Sequence, residues 1–355
     1  MLGNLTLSNF RGFQEISFPQ LKRLTLLSGR NNVGKSSVLE GIFLLVDHAA
    51  ADSFAKINSF RGNPHFSNAA VLWEPLFYAL NPKTPIRIAS VCNGAEIRLS
   101  YDKDESFIPS GPTVPPEALN PFVATAISSY SLRFSFECAE YKENGHFALS
   151  RSGVYRDIST SNSGNAINDS LHVQFINSLI SATGPSVVEW FGKMELSGGK
   201  QRVTDALKVI EPGITDVVSI APNGVMQLYG KIDGDIMPLK LLGDGINRLL
   251  YILLAIIGNP NSLVLIDEIE TGFHYSLHGK VWETIAQAAK NNHCQVIATT
   301  HSNECLRGAV EGVKAAKAED DFCYYRLDRV DGKHQTYQFS CDLLSQALSA
   351  DMEVR

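Results

Sequence analysis

The sequence lacks cysteine pairs of the kind that bind zinc or form a redox couple. No two of its six cysteines are spaced as C-x-x-C. Scattered thiols without a disulfide framework are typical of a reducing compartment, so we expect a cytoplasmic protein without a structural zinc. The six are Cys92, Cys138, Cys294, Cys305, Cys323 and Cys341.

Long apolar runs are also missing. The longest strongly apolar run, Leu249 to Ile257, is too short to span a bilayer and stops at Gly258-Asn259-Pro260, as a buried helix would. The N-terminus begins with the alternating strand pattern Leu5-Thr6-Leu7, which is unlike a secretory signal. No internal repeat, heptad array or low-complexity tract is present. We therefore expect no membrane association and no coiled-coil rod.

The chain has no excess of positive charge. Its formal net charge is −6, so a basic coat for nucleic acid is excluded, although a local basic patch would still allow nucleic-acid binding. Its hydrophobic content of 44% and charged content of 19% are ordinary for a soluble protein. With 355 residues, it can bury a large core and form two lobes.

One stretch fits the phosphate-binding pattern G-x-x-x-x-G-K-[ST]. Leu24 to Leu27 predicts a buried strand before it, and Ser36 to Val46 predicts a helix after it. The glycines let backbone N–H groups point at phosphate oxygens, while Lys35 would reach the β- and γ-phosphates of ATP and Ser36 would bind Mg²⁺. The alternative, a glycine turn with a chance Lys-Ser, does not explain the order of strand, loop and helix. The predicted nucleotide-binding residues here are Gly29, Asn31, Asn32, Gly34, Lys35, Ser36 and Ser37.

Two carboxylates follow a second apolar strand. Leu263 to Ile266 predicts a buried parallel strand, and Asp267 and Glu268 stand at its carboxyl end, where α/β sheets bind ligands. Asp267 would hold Mg²⁺ directly or through water, and Glu268 would polarise the attacking water. Strand alternation predicts that their side chains point apart. The alternative is solvation of the strand end.

Two further residues are candidates for contacts with the nucleotide. His301 follows the apolar strand Gln295 to Thr300, where a neutral imidazole can sense a γ-phosphate, although a lone histidine is more often structural. Arg11 lies in the motif Asn9-Phe10-Arg11-Gly12-Phe13, where it could serve a phosphate or a purine. The alternative for that motif is a β-turn with flanking core aromatics.

Two glycine-rich loops compete as a signature loop. Gly243, Asp244 and Gly245 precede an apolar helix and predict an anion site at its N-terminus, unless Asp244 is an ordinary N-cap. The run Leu196 to Arg202 reads Leu-Ser-Gly-Gly-Lys-Gln-Arg and resembles the signature of ABC ATPases, but it lies far ahead of Asp267. We therefore expect Gly198-Gly199 to be a turn between helices.

The remaining pattern is coarser. Hairpins are predicted where Asn-Gly or Asp-Gly joins two strand-like runs. Residues 171–211 are predicted to be helical, 108–121 a proline-rich surface connection, 159–170 a loop, and 341–350 a short helix. The predicted hairpin turns are Asn93-Gly94, Asn223-Gly224, Asp233-Gly234 and Asp331-Gly332.

Together these motifs resemble the ABC-type ATPase heads of the SMC, RecF and OLD (overcoming lysogenization defect) groups. The resemblance is closest to the ATPase half of OLD-like proteins, where the signature loop typically reads Gly-Asp-Gly. It implies an α/β fold: an ABC-ATPase-like P-loop head with a mixed central sheet, an antiparallel β subdomain and a helical insertion. Residues 1–45 and 205–355 would form a discontinuous ATPase core, with residues 46–204 inserted. It also implies two heads that sandwich two ATP molecules in a homodimer or a higher homo-oligomer.

The sequence departs from the resembled groups in two ways. It has no heptad rod, and the segment after His301 has no apolar strand ending in paired carboxylates, which a Toprim nuclease domain needs. The resemblance therefore implies an ATPase that drives or gates a separate effector, a nuclease or toxin, as in bacterial defence against phage or plasmids. The alternatives are a RecF-like DNA-binding repair ATPase and a nucleotide-binding scaffold without turnover. No glutamine loop can be assigned.

Overall fold

The structure is a computed structural model that describes residues 1–62, 69–106, 130–139, 141–150, 153–161, 171–177, 185–196 and 198–355. The predicted connection at 108–121 lies outside these residues, as do 162–170 of the predicted loop. The described chain divides into two compact units. Unit 1 contains Met1–Leu21, Asn31–Leu171 and Leu327–Thr336, and unit 2 contains Lys22–Arg30, His172–Arg326 and Tyr337–Arg355.

The strands are β1 (Leu5–Phe10), β2 (Phe13–Phe18), β3 (Leu24–Gly29), β4 (Ile86–Cys92), β5 (Ala95–Asp104), β6 (Ser131–Cys138), β7 (Tyr141–Ser150), β8 (Gly153–Ser161), β9 (Val173–Ile176), β10 (Ile214–Ile220), β11 (Gln227–Ile232), β12 (Asp235–Pro238), β13 (Leu263–Ile266), β14 (Gln295–Thr299), β15 (Phe322–Val330) and β16 (Lys333–Phe339). The α-helices are α1 (Lys35–Val46), α2 (Ser53–Phe60), α3 (Ala69–Trp73), α4 (Pro185–Leu196), α5 (Lys200–Leu207), α6 (Asp244–Ile257), α7 (His278–Asn291), α8 (Asn303–Ala315) and α9 (Cys341–Ser349).

Unit 1 is built on a seven-stranded antiparallel sheet in the order β2-β1-β4-β5-β6-β7-β8. The predicted hairpin at Asn93-Gly94 joins β4 to β5, and both turn residues have positive φ. The N-terminal strand β1 pairs with β4, which belongs to the segment expected to be inserted. The two compact units thus divide the chain at other positions than the predicted domain limits.

An aromatic cluster fills the core of unit 1. Phe54 of α2 makes edge contacts with Trp73, Tyr101 and Phe147, whose ring centroids lie 5.0–6.4 Å away. All four side chains are at most 1% exposed. Large rings bury much apolar area and favour such edge arrangements, so this cluster joins the helices to the antiparallel sheet.

A six-stranded sheet has the order β16-β15-β3-β14-β13-β9. Strands β3, β14, β13 and β9 are parallel, which accounts for their nearly continuous apolar sequences. The prediction that residues 171–211 are helical is wrong at β9, because Val173–Ile176 pairs with Leu263–Ile266 along its whole length. A four-residue strand is too short for its period to be distinguished from that of a helix, and its partner lies far away in sequence.

The core of unit 2 is centred on α6. From Leu249 to Ile257 every residue of this helix is buried, and α4, α5 and α7 all pack against it. A helix that is apolar on all sides needs neighbours on all sides, which explains how the chain accommodates its longest apolar run. No helix in the described part of the chain combines the length and apolar character that crossing a membrane requires.

Three glycines bring α7 and α8 into close contact. A Cβ atom at Gly308 would overlap His278, and one at Gly312 would overlap the backbone of Gly279 and lie 2.5 Å from the amide nitrogen of Glu283. At Gly279 a Cβ atom would lie 2.8 Å from the carboxylate of Glu311. At Gly308 and Gly312 only glycine allows the two helix backbones to approach so closely, whereas the Glu311 side chain can move away from a Cβ atom at Gly279.

Candidate functional site

The predicted phosphate loop connects β3 to α1, and its backbone has positive φ angles at the two glycines of the pattern. Strand β3 ends at Gly29, with φ 145°, and α1 begins at Lys35 after Gly34, with φ 95°. Asn32 is also left-handed, with φ 66°. Within unit 1, a Cβ atom at Gly34 would overlap the ring of Phe13, so sterics and backbone conformation both demand glycine. The loop is open at Asn31 and Asn32, which are exposed.

Directly after the loop, unit 1 contains a buried cluster of charges that the sequence did not predict. Glu40 on α1 is 1% exposed and accepts hydrogen bonds from Nε of Arg11 at 2.9 Å and Nε of Arg61 at 2.5 Å. Arg61 also donates to the hydroxyl of Ser37 at 3.2 Å. These contacts fasten the first turns of α1 to the N-terminal hairpin and to the end of α2.

Arg11, predicted to contact the nucleotide, is the buried partner in this cluster. Its φ is 53°, its side chain is 8% exposed, and it donates to the carbonyl oxygen of Pro75 as well as to Glu40. Burial lowers the pKa of the guanidinium, and the adjacent Glu40 carboxylate opposes that shift. Its Nη2 atom is buried without a hydrogen-bond partner. Contact with a nucleotide stays a prediction.

In unit 2, Asp267 and Glu268 follow β13 as predicted, but strand alternation does not orient them. Strand β13 ends at Ile266, and Glu268 is left-handed, with φ 50°. The hydroxyl of Thr299, at the end of β14, donates to Oδ1 of Asp267 at 2.6 Å and accepts from the amide of Glu268 at 2.9 Å. A side chain of the neighbouring strand thus binds both residues.

His301 lies next to a third carboxylate of unit 2. Nδ1 of His301 is 2.9 Å from Oε1 of Glu270, and the backbone amide of His301 donates to the same oxygen at 2.9 Å. The imidazole is about half exposed, whereas the Glu270 side chain is 10% exposed. Glu270 therefore fixes both the backbone and one ring nitrogen of His301 and leaves the rest of the ring accessible.

The first signature candidate stands at the N-terminus of α6, where the sequence predicts it. Gly243 is the N-cap with φ 96°, Asp244 is the first helical residue, and both are exposed. The N-cap residue is Gly243 and not Asp244, so the alternative role of Asp244 as an ordinary N-cap is wrong. A Cβ atom at Gly245 would lie 2.8 Å from the carbonyl oxygen of Gly272 in the loop after Glu268.

A buried arginine connects this helix with the carboxylate loop. Arg248 of α6 is 6% exposed and donates to the backbone carbonyl oxygens of Asn177 and Asp267, the latter at 2.7 Å. Burial lowers the pKa of its guanidinium, and Asp267 and Glu268 oppose the shift. The start of α6 and the end of β13 therefore share one buried cation.

The second signature candidate is a turn between helices, as predicted. Helix α4 ends at Leu196, α5 begins at Lys200, and Gly198 between them has φ 72°. A Cβ atom at Gly199 would lie 2.9 Å from Cγ of Met194 and 3.2 Å from Ile257. This turn is thus packed against the core of unit 2.

The predicted magnesium ligands are hard oxygen donors, a carboxylate and a hydroxyl. No group of three or more His, Cys, Asp or Glu side chains in the described residues could hold a metal ion. Mg²⁺ needs none, because it usually keeps several waters and takes one or two protein oxygens besides the phosphates. Asp267 and Ser36 fit that donor set.

Only weak signals in the sequence mark the site residues that were not predicted. Glu40 is a single carboxylate inside the apolar helix α1, and Arg248 is a single cation at the start of the apolar helix α6. Such isolated charges indicate buried pairing, but only the fold identifies the partner. Thr299 carried no signal, because threonine is common in strands.

The fold is similar to that of solved Smc head domains. One structure is the Smc head bound to the C-terminal winged-helix domain of ScpA, with a TM-score of 0.52, 12% sequence identity and coverage of 98% of this chain and 99% of that one. Another is the Pyrococcus furiosus Smc head with an extended coiled coil bound to the C-terminal domain of ScpA, with a TM-score of 0.52, 11% identity and coverage of 99% of each chain. At these identities the likeness shows the fold alone.

The chain is also similar in sequence to two other proteins. An ATP/GTP phosphatase of Helicobacter pylori is 24% identical over 328 residues, which cover 86% of each chain. The human ATP-binding cassette sub-family A member 9 is 39% identical over 64 residues, which are 18% of this chain and 4% of that protein.

The chain thus has the fold of an Smc-like head domain. The sequence profile described as an AAA ATPase domain matches residues 1–151 and 157–306. The chain therefore belongs to this family of ATPases.

Proposed function

We propose that the protein binds and hydrolyses ATP with Mg²⁺, dimerises on ATP and drives or gates a separate effector, as an OLD-like head. The observation that carries the proposal is the pair Asp267 and Glu268 at the carboxyl end of a buried parallel strand, with His301 following the next strand of the same sheet. Carboxylates in this position hold the metal and the water in P-loop ATPases.

Each residue of the proposed site has one role. The backbone of Gly29 to Ser37 and the ammonium of Lys35 bind the phosphates, and Ser36 and Asp267 hold Mg²⁺, which would neutralise phosphate charge. Glu268 accepts the proton of the attacking water. His301 contacts the γ-phosphate through the part of its imidazole that Glu270 leaves accessible.

Dimerisation is supported by the exposure of the signature loop. Gly243 and Asp244 begin an α-helix at the surface of unit 2, where backbone N–H groups and the positive end of the helix dipole can receive an anion. By family analogy, that anion is the γ-phosphate of ATP bound to a second copy. This loop therefore acts on the other subunit's nucleotide.

The effector is proposed from the resemblance to OLD-like heads. The Smc heads of similar fold are bound to a ScpA domain in their structures, which shows that such a head can present a surface to a partner. For this chain we propose a separate nuclease or toxin as the partner and a role in defence. Purifying the tagged protein from its native host, with and without ATP, and identifying the co-purified proteins by mass spectrometry tests this part.

Lys35→Ala is expected to abolish ATP binding, because the β- and γ-phosphates lose their fixed cation. The measurement is a titration with a fluorescent ATP analogue. The matched control is Lys142→Ala, which removes a surface lysine paired with Glu137 and should bind ATP normally. An unchanged affinity in the Lys35 variant would remove the phosphate-loop assignment.

Asp244→Ala is expected to abolish ATP hydrolysis and ATP-dependent dimerisation while a monomer still binds ATP. Gly199→Ala should instead lower the stability, because its Cβ atom would press on Met194 and Ile257. Phosphate release, light scattering and thermal unfolding of both variants decide between the loops. A stable Gly199 variant with no dimer and no turnover, beside an active Asp244 variant, would show that Gly198-Gly199 is the signature loop.

A further inference from the structure

The hydroxyl of Thr299 bonds to both residues of the carboxylate pair. Thr299 is 0% exposed, and its Oγ1 atom lies 2.6 Å from Oδ1 of Asp267 and 2.9 Å from the amide nitrogen of Glu268. All three residues belong to unit 2. One oxygen atom thus lies between the predicted metal ligand and the predicted base.

The direction of both hydrogen bonds follows from the available protons. A backbone N–H can only donate, so Oγ1 accepts from Glu268. The single hydroxyl proton is then left for Oδ1 of Asp267, which must accept it. Thr299 therefore presents a donor to the Asp267 carboxylate and holds it in one rotamer.

The second bond fixes an unfavourable backbone conformation. Glu268 has φ 50°, which costs a residue with a side chain about 1 kcal/mol or more relative to the right-handed region. Left-handed backbone at such a residue persists only where its surroundings hold it. The hydrogen bond from the backbone amide of Glu268 to the Thr299 hydroxyl supplies such a constraint at Glu268 itself.

We propose that Thr299 is a positioning residue that sets the orientation of Asp267 and the backbone of Glu268 through one hydroxyl group. This inference rests on the proposed function, because the two carboxylates matter only if the protein hydrolyses ATP. The requirement is for the hydroxyl and not for the shape of the side chain. Serine should therefore replace threonine at this position, whereas valine, which matches it in shape, should not.

The first readout needs no nucleotide. In the full-length protein, amide hydrogen exchange of Glu268, followed by ¹⁵N-glutamate-labelled NMR or by mass spectrometry of short peptides, reports the bond to Thr299. Thr299→Val should speed that exchange by about tenfold or more, which is the scale of a lost hydrogen bond, and Thr299→Ser should restore protection. Thr204→Val is the matched control, because its buried hydroxyl bonds only to Lys200 within α5.

The second readout is the dependence of hydrolysis on Mg²⁺. Thr299→Val should raise the Mg²⁺ concentration for half-maximal rate and lower kcat, each by about tenfold or more, because Asp267 loses a hydrogen bond to its charged group. Binding of ATP without Mg²⁺ should not change, since the phosphate loop is untouched. Thr299→Ser should behave as wild type in both measurements.

The possible results separate the two proposals. A wild-type protein that neither binds nor hydrolyses ATP would end the proposed function. An active wild type whose Thr299→Val variant keeps normal exchange, Mg²⁺ dependence and kcat would overturn the positioning role. The same conclusion follows if valine exposes the Glu268 amide without changing catalysis, or if serine fails as severely as valine.

Discussion

Glu268→Gln is expected to slow ATP hydrolysis by about 10²-fold or more, the usual scale for loss of a general base. The amide keeps the size and hydrogen-bonding capacity of the carboxylate but lacks the charge that accepts a proton. The hydrogen bond from the backbone amide of Glu268 to Thr299 does not involve the altered carboxylate, so the local fold should persist. Single-turnover phosphate release from saturated protein measures the chemical step directly.

ATP binding and association complete this test. Because the phosphate loop and the proposed Mg²⁺ ligands are unchanged, the Glu268→Gln variant should bind ATP and accumulate as a dimer. Asp267→Asn should instead weaken the binding of Mg²⁺ and of nucleotide together. Glu189→Gln, on the exposed face of α4, is the matched control and should resemble wild type. Light scattering with and without ATP gives the oligomeric state.

Two results would contradict different parts of the proposal. Hydrolysis at the wild-type rate in Glu268→Gln ends the assignment of the base. An inactive variant whose association state ignores ATP leaves the base in place and removes the ATP-dependent dimer.

Glu40→Ala is expected to lower the free energy of unfolding by about 3–5 kcal/mol, the usual cost of removing one partner of a buried ion pair. Arg11, 8% exposed, would retain a buried charge without its carboxylate. Arg61 contributes less to this figure, because its side chain is 43% exposed and can reach water. Urea unfolding followed by circular dichroism measures the change.

The same unit offers a matched surface pair. Glu96 contacts Arg98 through two hydrogen bonds of 2.9 Å and 2.8 Å, but both side chains are more than half exposed. Glu96→Ala should therefore cost at most about 1 kcal/mol. If Glu40→Ala cost no more than that, the buried cluster would not stabilise the fold. If the double variant Glu40→Leu/Arg11→Met regained the lost stability, the unpaired buried charge would be confirmed as the cause.

The sequence predicted best those features whose cause is local. The Asn93-Gly94 turn, the strand before the phosphate loop and the helix after it each depend on residues that are neighbours in the chain. The class of fold was predicted as well, because the spacing and order of several motifs are more specific than any one of them. The α/β head with a mixed sheet and an antiparallel sheet is confirmed by its likeness to Smc heads.

Features with a distant cause could not be predicted. Strand β9 exists because β13, far along the chain, provides its hydrogen-bond partners. Glu40 is buried because Arg11 and Arg61 come from two other elements. The backbone conformation of Glu268 depends on a hydroxyl group of the adjacent strand. Strand alternation therefore does not determine the orientation of its side chain, because Glu268 lies beyond the end of β13. The roles of Arg11 and Glu268 in ATP chemistry stay predictions.

The glycine contacts between α7 and α8 have a mechanical consequence. Helix α7 follows the loop that contains Glu268, and α8 follows His301. The close contact between these two helices therefore connects the segments of Glu268 and His301 a second time, in addition to the hydrogen bonds at the ends of β13 and β14. Interlocked helices resist sliding, because any shift drives a side chain into a backbone. We therefore expect Glu268 and His301, the proposed base and the proposed γ-phosphate sensor, to move as one rigid body during any nucleotide-driven motion.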